Sequence, residues 1–135
     1  MTMGKQYLLD SNICIYLFRG HKAVTERLRK IGWNNCCISE MTVAELLYGA
    51  ECSNDVEANR KQVESFCADI KVIPVGALNE YARQKSLLRK KGLLIDDMDL
   101  FIGCTALTFN YVMVTENVKH LERLDGIHVE NWIKK

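Results

Sequence analysis

Hydrophobic positions along this chain form short uninterrupted runs separated by longer stretches with helical spacing. The short runs predict β-strands over 7–9, 36–38, 70–75, 111–114 and 127–129. These runs do not alternate with polar residues, which is typical of strands buried on both faces of a parallel sheet. The stretches between them predict helices over 13–18, 23–31, 40–52, 56–68, 78–90, 98–109 and 118–124.

Strand and helix alternate from one end of the chain to the other. This order predicts an α/β fold with a central, mostly parallel sheet. The sequence contains no internal repeat and no linker rich in Pro, Gly or Ser, so we expect residues 1–135 to form a single domain. In such folds the functional side chains gather at the carboxyl ends of the strands.

The charge balance restricts how the chain contacts nucleic acid. Lys and Arg number 18 against 17 Asp and Glu, giving a net charge of +1, so a uniformly basic surface is excluded. A nucleic-acid contact would therefore use a local patch. The candidate stretches are Arg27-x-Arg29-Lys30, Arg83-x-Lys85 and Arg89-Lys90-Lys91. Such runs are more often the solvated faces of amphipathic helices.

The lack of a recognisable targeting segment and the cysteine usage both predict a cytoplasmic protein. No apolar run reaches signal-peptide length before Asp10, and none approaches the roughly 18 residues of a membrane span. The six cysteines include no C-x-x-C pair, so we expect free thiols rather than disulfides or a zinc site. Cys36 and Cys37 are adjacent on a predicted strand and should point to opposite faces of the sheet.

Several catalytic motifs are absent from the sequence. The eight glycines form neither G-x-G-x-x-G nor a phosphate-binding loop, and G-x-S-x-G is missing. The three histidines lie far apart without H-E-x-x-H spacing, which argues against a zinc centre. The carboxylates are therefore the remaining candidates for chemistry.

Two of these carboxylates occupy notable positions. Asp10 directly follows the first apolar run, at the expected carboxyl end of a strand, where a simple role as a helix cap is also possible. Glu45 lies in a helix that is apolar on nearly all sides, so we expect the helix to be buried. A buried ionised carboxylate needs a cation or several hydrogen-bond donors, because burying it unpaired is costly.

Three further acids, Asp96, Asp97 and Asp99, precede another apolar helix. Asp96 fits an N-cap, and Asp99 fits the positive end of the helix dipole. If the fold brings Asp99 together with Asp10 and Glu45, raised pKa values or a divalent cation must relieve their repulsion. Ligands that are all oxygen favour Mg²⁺ or Mn²⁺ over zinc.

A fourth candidate segment, Thr115-Glu116-Asn117, follows the strand predicted over 111–114. Thr115 and Asn117 also fit a turn cap, and Glu116 also fits a solvated position. The spacing alone does not choose between these interpretations.

Taken together, four segments resemble the PIN-domain ribonucleases, in particular the VapC-type toxins of bacterial toxin–antitoxin pairs. The matching stretches, in the family's order, are Leu9-Asp10-Ser11-Asn12, Thr42-Val43-Ala44-Glu45-Leu46-x-x-Gly49, Ile95-Asp96-Asp97-Met98-Asp99-Leu100-Phe101-Ile102 and Val114-Thr115-Glu116-Asn117, the last leading to Gly126-Ile127 and Asn131-Trp132. Ser11 stands where Thr is usual and Leu121 where Phe is common. The resemblance covers nearly the whole chain and implies a PIN-like α/β/α sandwich.

The resemblance also implies roles for individual residues. Asp10, Glu45 and Asp99 would be the metal-binding triad, and a fourth catalytic group would be Glu116, with Asn117 as its alternative. The positions of Asp96 and Asp97 are frequently not acidic in the family, so these two residues would support the site from outside the triad.

The function implied by the resemblance is Mg²⁺-dependent hydrolysis of RNA, with tRNA as a candidate substrate. The protein would be a toxin that forms a homodimer and is inhibited by a cognate antitoxin. Mn²⁺ is an alternative cofactor. A catalytically silent PIN-like module that binds RNA or a partner is the competing hypothesis. A signalling receiver domain is disfavoured, because Asp10 stands alone after its strand and Glu45 falls inside a helix.

Overall fold

A computed structural model describes residues 4–133 of the chain. Its strands are β1 (Tyr7–Leu9), β2 (Cys36–Ser39), β3 (Lys71–Ile73), β4 (Val112–Val114) and β5 (Val129–Glu130). Its helices are α1 (Ser11–Phe18), α2 (Lys22–Ile31), α3 (Glu40–Glu51), α4 (Val56–Asp69), α5 (Leu78–Lys91), α6 (Asp97–Phe109) and α7 (Val118–Leu121), with a short 3-10 helix over Trp33–Asn35.

The five strands form one sheet in the order β3-β2-β1-β4-β5, and every neighbouring pair is parallel. The predicted α/β class and parallel sheet are confirmed. The first strand lies at the centre, where Tyr7 pairs with both Cys36 and Val112 and Leu9 pairs with Val114. The carboxyl ends of β1 and β4 therefore lie side by side.

A hydrophobic layer covers each face of the sheet. Leu9 and Cys36 belong to one core, together with residues of α1 to α4. Leu8 and Cys37 belong to the other, together with residues of α5, α6 and α7. Adjacent cysteines thus point to opposite faces, as predicted, and all six cysteines are free. Within residues 4–133, no helix has both the length and the apolar character to cross a bilayer.

Local chemistry shifts some of the predicted element boundaries. The helix predicted from residue 13 begins at Ser11, because the Asp10 side chain accepts a hydrogen bond from the Ser11 amide and caps it. The strand predicted over 70–75 ends at Ile73, since Pro74 has no N–H to donate to a neighbouring strand. The last helix ends at Leu121, earlier than the predicted residue 124.

The expectation that α3 is buried on nearly all sides is wrong. Its buried positions are Thr42, Leu46 and Ala50, and the opposite side of the helix is open. Tyr48 is 73% exposed and Gly49 is also exposed. The reason is architectural, because α1, α4 and α6 contact only part of the surface of α3 and no described element covers the rest.

Gly103 permits the closest approach between α6 and the segment after β4. A Cβ atom at this position would overlap Leu124 Cδ1 and lie 2.9 Å from Leu121 Cδ1. Both leucines are fully buried, so they have little room to move aside. Gly49 in α3 is the opposite case, since a Cβ there meets nothing within 4 Å.

We expect Gly103→Ala to lower the free energy of unfolding by about 1–3 kcal/mol, because the added methyl overpacks the core. Gly49→Ala should instead raise it by up to about 1 kcal/mol, since alanine is the better helix former. Urea denaturation of both variants beside the wild type measures the two effects. Equal effects of the same sign would contradict this account of the packing.

Candidate active site

The site is built where β1 and β4 end. Because Leu9 pairs with Val114, the residues that follow, Asp10 and Thr115, are neighbours across the two strands. The Asp10 amide donates to the Val114 carbonyl at 2.9 Å, which extends the strand pairing by one further bond. The sheet register thus fixes the position of the first candidate acid.

Three donors hold the Asp10 carboxylate in one orientation. Its Oδ1 accepts from the Ser11 amide at 2.8 Å, and its Oδ2 accepts from Thr115 Oγ1 at 2.7 Å and from Asn12 Nδ2 at 3.4 Å. The residue is only 3% exposed. Burial raises the pKa of Asp10 above its ordinary value, and hydrogen bonds from Thr115, Ser11 and Asn12 oppose that rise without cancelling it.

Thr115 and Asn12 join the segments after β1 and β4. Thr115 Oγ1 accepts from the Asn117 amide at 2.9 Å while it donates to Asp10. Asn12 Oδ1 accepts from the Glu116 amide at 3.1 Å. The sequence left Thr115 between a candidate functional segment and a turn cap, and it gave Asn12 no role of its own. The roles of Thr115 and Asn12 follow from the pairing of β1 with β4, which places the two segments side by side.

Glu45 approaches the same place from the second turn of α3. Its Oε1 atom is buried and has no hydrogen-bond partner among residues 4–133. Burial raises the pKa of Glu45, the Ser11 side chain opposes the rise, and the charges of Asp10, Asp99 and Asp96 raise the pKa further. Glu45 is therefore a half-buried acid facing other acids, with one oxygen unsatisfied.

Asp99 completes the group from the first turn of α6. Burial, followed by the charges of Asp10 and Asp96, raises the pKa of Asp99 to about 6, while His120 and Asn117 favour its charged form. Asn117 Nδ2 lies 3.4 Å from Asp99 Oδ2 and 2.9 Å from His120 Nδ1. The structure thus brings the three predicted triad acids into one electrostatically coupled cluster.

The two other acids before α6 behave differently from Asp99. Asp96 occupies the N-cap position but makes no side-chain capping bond, so that part of the cap interpretation is wrong. Its charge instead contributes to the pKa shifts of Glu45 and Asp99. Asp97 turns to α5, where it accepts from Lys85 Nζ and from the Tyr81 hydroxyl, each at 2.9 Å.

The structure also distinguishes Glu116 from Asn117. The Glu116 side chain is exposed, and its Oε2 accepts from the Tyr16 hydroxyl at 2.9 Å. Asn117 contacts Asp99, as described above. In this arrangement the side-chain amide of Asn117 lies against the acidic cluster, and the carboxylate of Glu116 does not.

Several of the basic candidates already have acidic partners. Arg27 pairs with Glu130 and Arg83 with Glu80, and Lys85 pairs with Asp97. Within residues 4–133, the basic residues of these stretches that make no ion pair are Arg29, Lys30, Arg89, Lys90 and Lys91, all of them exposed. These five remain candidates for contact with a polyanion.

The acidic cluster suits a hard divalent cation by its donor set. In the described part of the chain, no three His, Cys, Asp or Glu side chains stand close enough together to enclose an ion unaided. The unsatisfied Glu45 Oε1 and the raised pKa values nevertheless indicate carboxylates that lack a positive partner. Asp10, Glu45 and Asp99 are the residues that could hold such an ion, together with water molecules.

Comparison with known proteins agrees with this arrangement. The family model described as PIN domain matches residues 7–127. This chain belongs to the PIN-domain family. Ribonuclease VapC2 of Rickettsia felis is 33% identical to it over 132 residues, which covers 95% of this chain and 98% of that protein. The tRNA(fMet)-specific endonuclease VapC of Shigella flexneri is 30% identical over 129 residues, covering 94% and 98% of the two chains.

Solved structures of PIN-domain proteins have the same fold. VapBC from Salmonella typhimurium, bound to DNA, superposes with a TM-score of 0.89 at 31% identity, covering 96% of this chain and 99% of that one. VapBC2 from Rickettsia felis, bound to a promoter DNA fragment, gives 0.87 at 32% identity, with coverage of 93% and 98%. The resemblance to VapC-type PIN domains inferred from the four segments is confirmed, and a receiver domain is not supported.

The raised pKa of Asp99 predicts how stability depends on pH in the absence of metal. The folded chain binds this proton more tightly than the unfolded chain, whose pKa lies near 3.8. The Asp99 contribution therefore favours folding below pH 4 and is lost as the pH rises through about 6. Asn lacks this titration, so Asp99→Asn should be more stable than the wild type at pH 7.5 by about 1 kcal/mol, a value reduced because the carboxylate is half exposed.

Urea denaturation at pH 4, 5.5 and 7.5 in the presence of a chelator measures this difference, which should shrink toward pH 4. Asp97→Asn is the matched control. Hydrogen bonds from Lys85 and Tyr81 lower the pKa of Asp97, so its neutralisation should destabilise the protein at pH 7.5. A shift of the same sign in both variants would show that Asp99 is not under electrostatic strain.

Proposed function

We propose that this chain is a divalent-metal-dependent endoribonuclease, the toxin of a type II toxin–antitoxin pair that acts in the cytoplasm. The observation that carries the proposal is the coupled cluster of Asp10, Glu45 and Asp99 at the carboxyl ends of the central strands. Such a cluster is unfavourable for the fold alone, because like charges gather there with one carboxylate oxygen unsatisfied.

The chemistry follows from what these residues can hold. We assign Mg²⁺ as the cofactor, with Mn²⁺ as a substitute, since both prefer oxygen ligands. Such an ion supplies activation of water and neutralisation of charge on a phosphodiester in its transition state. Asp10, held by Thr115 and Ser11, provides a rigid carboxylate, and Glu45 and Asp99 provide the other two.

The residues after β4 serve different purposes in this proposal. Asn117 donates to Asp99 Oδ2 and so orients that carboxylate within the cluster. Glu116, the fourth catalytic residue implied by the resemblance, is held at the rim by Tyr16. We therefore place Asn117 beside the acids and keep Glu116 as a candidate that acts only if it leaves Tyr16.

The relatives indicate the substrate and the partner. They are named ribonucleases, and two of them tRNA(fMet)-specific endonucleases, which supports RNA, and tRNA in particular, as the substrate class. The similar structures are VapBC complexes, which supports a cognate antitoxin as the protein partner. We propose that this antitoxin inhibits by covering the acidic cleft, with a basic side chain placed against the carboxylates.

A catalytically silent PIN-like binding module is the competing function. The retention of all three acids in one cluster speaks against it, since a module that only binds RNA gains nothing from negative charge beside a phosphate backbone. Cleavage of RNA that requires Mg²⁺ separates the two hypotheses.

We expect Asp99→Asn to fold normally and to cleave RNA at least about a hundredfold more slowly than the wild type with Mg²⁺. Removing one charged ligand costs several kcal/mol of charge stabilisation in the transition state. Single-turnover cleavage of a tRNA(fMet) transcript over a series of Mg²⁺ and Mn²⁺ concentrations measures the rate and the apparent metal affinity.

Asp97→Asn is again the control and should retain nearly all activity, because Asp97 bonds to Lys85 and Tyr81 outside the cluster. Small and equal effects of the two substitutions would overturn the assignment of Asp99. The same assay on Glu116→Gln and Asn117→Ala tests the residues after β4, and we expect the larger loss for Asn117→Ala.

A homodimer remains a prediction of the resemblance. Exposed large apolar side chains, which include Tyr48, Leu78 and Phe109, provide surface for self-association. Multi-angle light scattering between about 1 and 100 μM protein should give a mass near twice that of the chain. A monomer mass throughout this range would contradict the prediction.

A further inference from the structure

A surface cavity of about 380 Å³ lies between α1, α3 and α4, and Glu45 forms part of its wall. Its buried lining residues are apolar, among them Leu46 and Val63, while its exposed lining includes the polar Arg19 and Gln62. The volume lies at the lower end of the range for pockets that hold small ligands. Whatever occupies the cavity therefore lies beside Glu45.

Gly49 opens this cavity from the side of α3. Glycine in the interior of a helix costs stability relative to alanine, so its presence there needs a reason. A positive φ is not that reason, because Gly49 is helical, and packing is not either, because a Cβ atom would meet nothing within 4 Å. The space above Gly49 is open, one helical turn beyond Glu45, and leaves room for a ligand to approach the helix backbone.

The polar lining has unused binding capacity. Within residues 4–133, Arg19 makes no ion pair and the Gln62 amide makes no hydrogen bond. A guanidinium group recognises phosphate and stacks on a nucleobase, and an amide both donates to and accepts from the edge of a base. An apolar floor beneath such groups suits an unstacked base of single-stranded RNA, which has an apolar face and a polar edge.

We propose that this cavity binds one base of the RNA substrate, that of a nucleotide next to the scissile phosphodiester, with Arg19 at its phosphate and Gln62 at its edge. The inference rests on the proposed ribonuclease function and adds to it a pocket that selects the cleavage site. Because Glu45 forms part of the cavity wall, a base bound there lies beside one of the three acids. The uncompensated charge of Arg19 complements the phosphates of the RNA backbone.

The test fills the cavity without disturbing the fold. Gly49→Gln introduces a side chain where the wild type has open space, and it should not lower the melting temperature, since glutamine is a better helix former than glycine. With a tRNA(fMet) transcript as substrate, we expect KM to rise at least about tenfold and kcat to change less than about threefold, because the lost contact is made equally in the ground and transition states.

Ala44→Gln is the matched control. Ala44 is exposed on the same helix, lies about 140° around it from Gly49, and does not line the cavity. The same new side chain at this position should leave KM and kcat unchanged.

A second measurement identifies the base. After the cleavage site is mapped with the wild type, tRNA(fMet) transcripts with an abasic ribose at each flanking position are cleaved by the wild type and by Gly49→Gln. At one position, removing the base should weaken binding by the wild type. The loss should be about as large as the loss that Gly49→Gln causes with intact RNA. Gly49→Gln should bind this abasic transcript about as well as it binds intact RNA, because the substitution and the missing base remove the same contact.

Three outcomes would overturn the inference. If Gly49→Gln cleaves intact tRNA(fMet) with unchanged KM, the cavity holds no base, although the ribonuclease function stands. If that variant instead escapes inhibition by the antitoxin while its KM is unchanged, the cavity belongs to the protein partner. If the wild type cleaves no RNA with Mg²⁺ or Mn²⁺, the proposed function fails first and the pocket assignment fails with it.

Discussion

The buried hydrogen bond from Thr115 Oγ1 to Asp10 Oδ2 is the contact on which the site depends. It is 2.7 Å long and joins residues 105 positions apart, each at the end of a central strand. Parallel pairing of β1 with β4 places the two side chains together, and the bond then fixes the carboxylate that the other acids face. Asn12 and Asn117 attach to the same pair, so both loops are tied to one point.

The acidic cluster lowers the stability of the fold and provides the carboxylates that the proposed chemistry needs. Glu45 keeps a buried oxygen without a hydrogen-bond partner in the described part of the chain. The pKa of Asp99 rises to about 6 because burial and neighbouring acids disfavour its charge. Rigid elements hold these groups together, since α3 and α6 are anchored by residues of the two cores on either side of the sheet. A divalent cation would relieve this repulsion, which links metal binding to the stability of the site.

Two helical glycines illustrate opposite uses of a missing side chain. Gly103 lets α6 pack against Leu121 and Leu124, which keeps the first turn of that helix, with Asp99, close to the loop after β4. Gly49 packs against nothing within the described chain and leaves a cavity open beside Glu45. Gly103 allows close packing in the core, and Gly49 leaves space for a ligand to reach the surface of α3.

The sequence by itself determined the alternating elements, the parallel sheet and the candidate acids, because short apolar runs, helical spacing and carboxylates at strand ends are local patterns. The tertiary structure decided which strand ends meet, that Asn117 rather than Glu116 contacts Asp99, and that one side of α3 is open. Local patterns carry no information on these points, since each depends on contacts between residues far apart in the chain. Strand order and helix packing set those contacts, and hydrogen bonds between the loops then choose the orientation of each side chain.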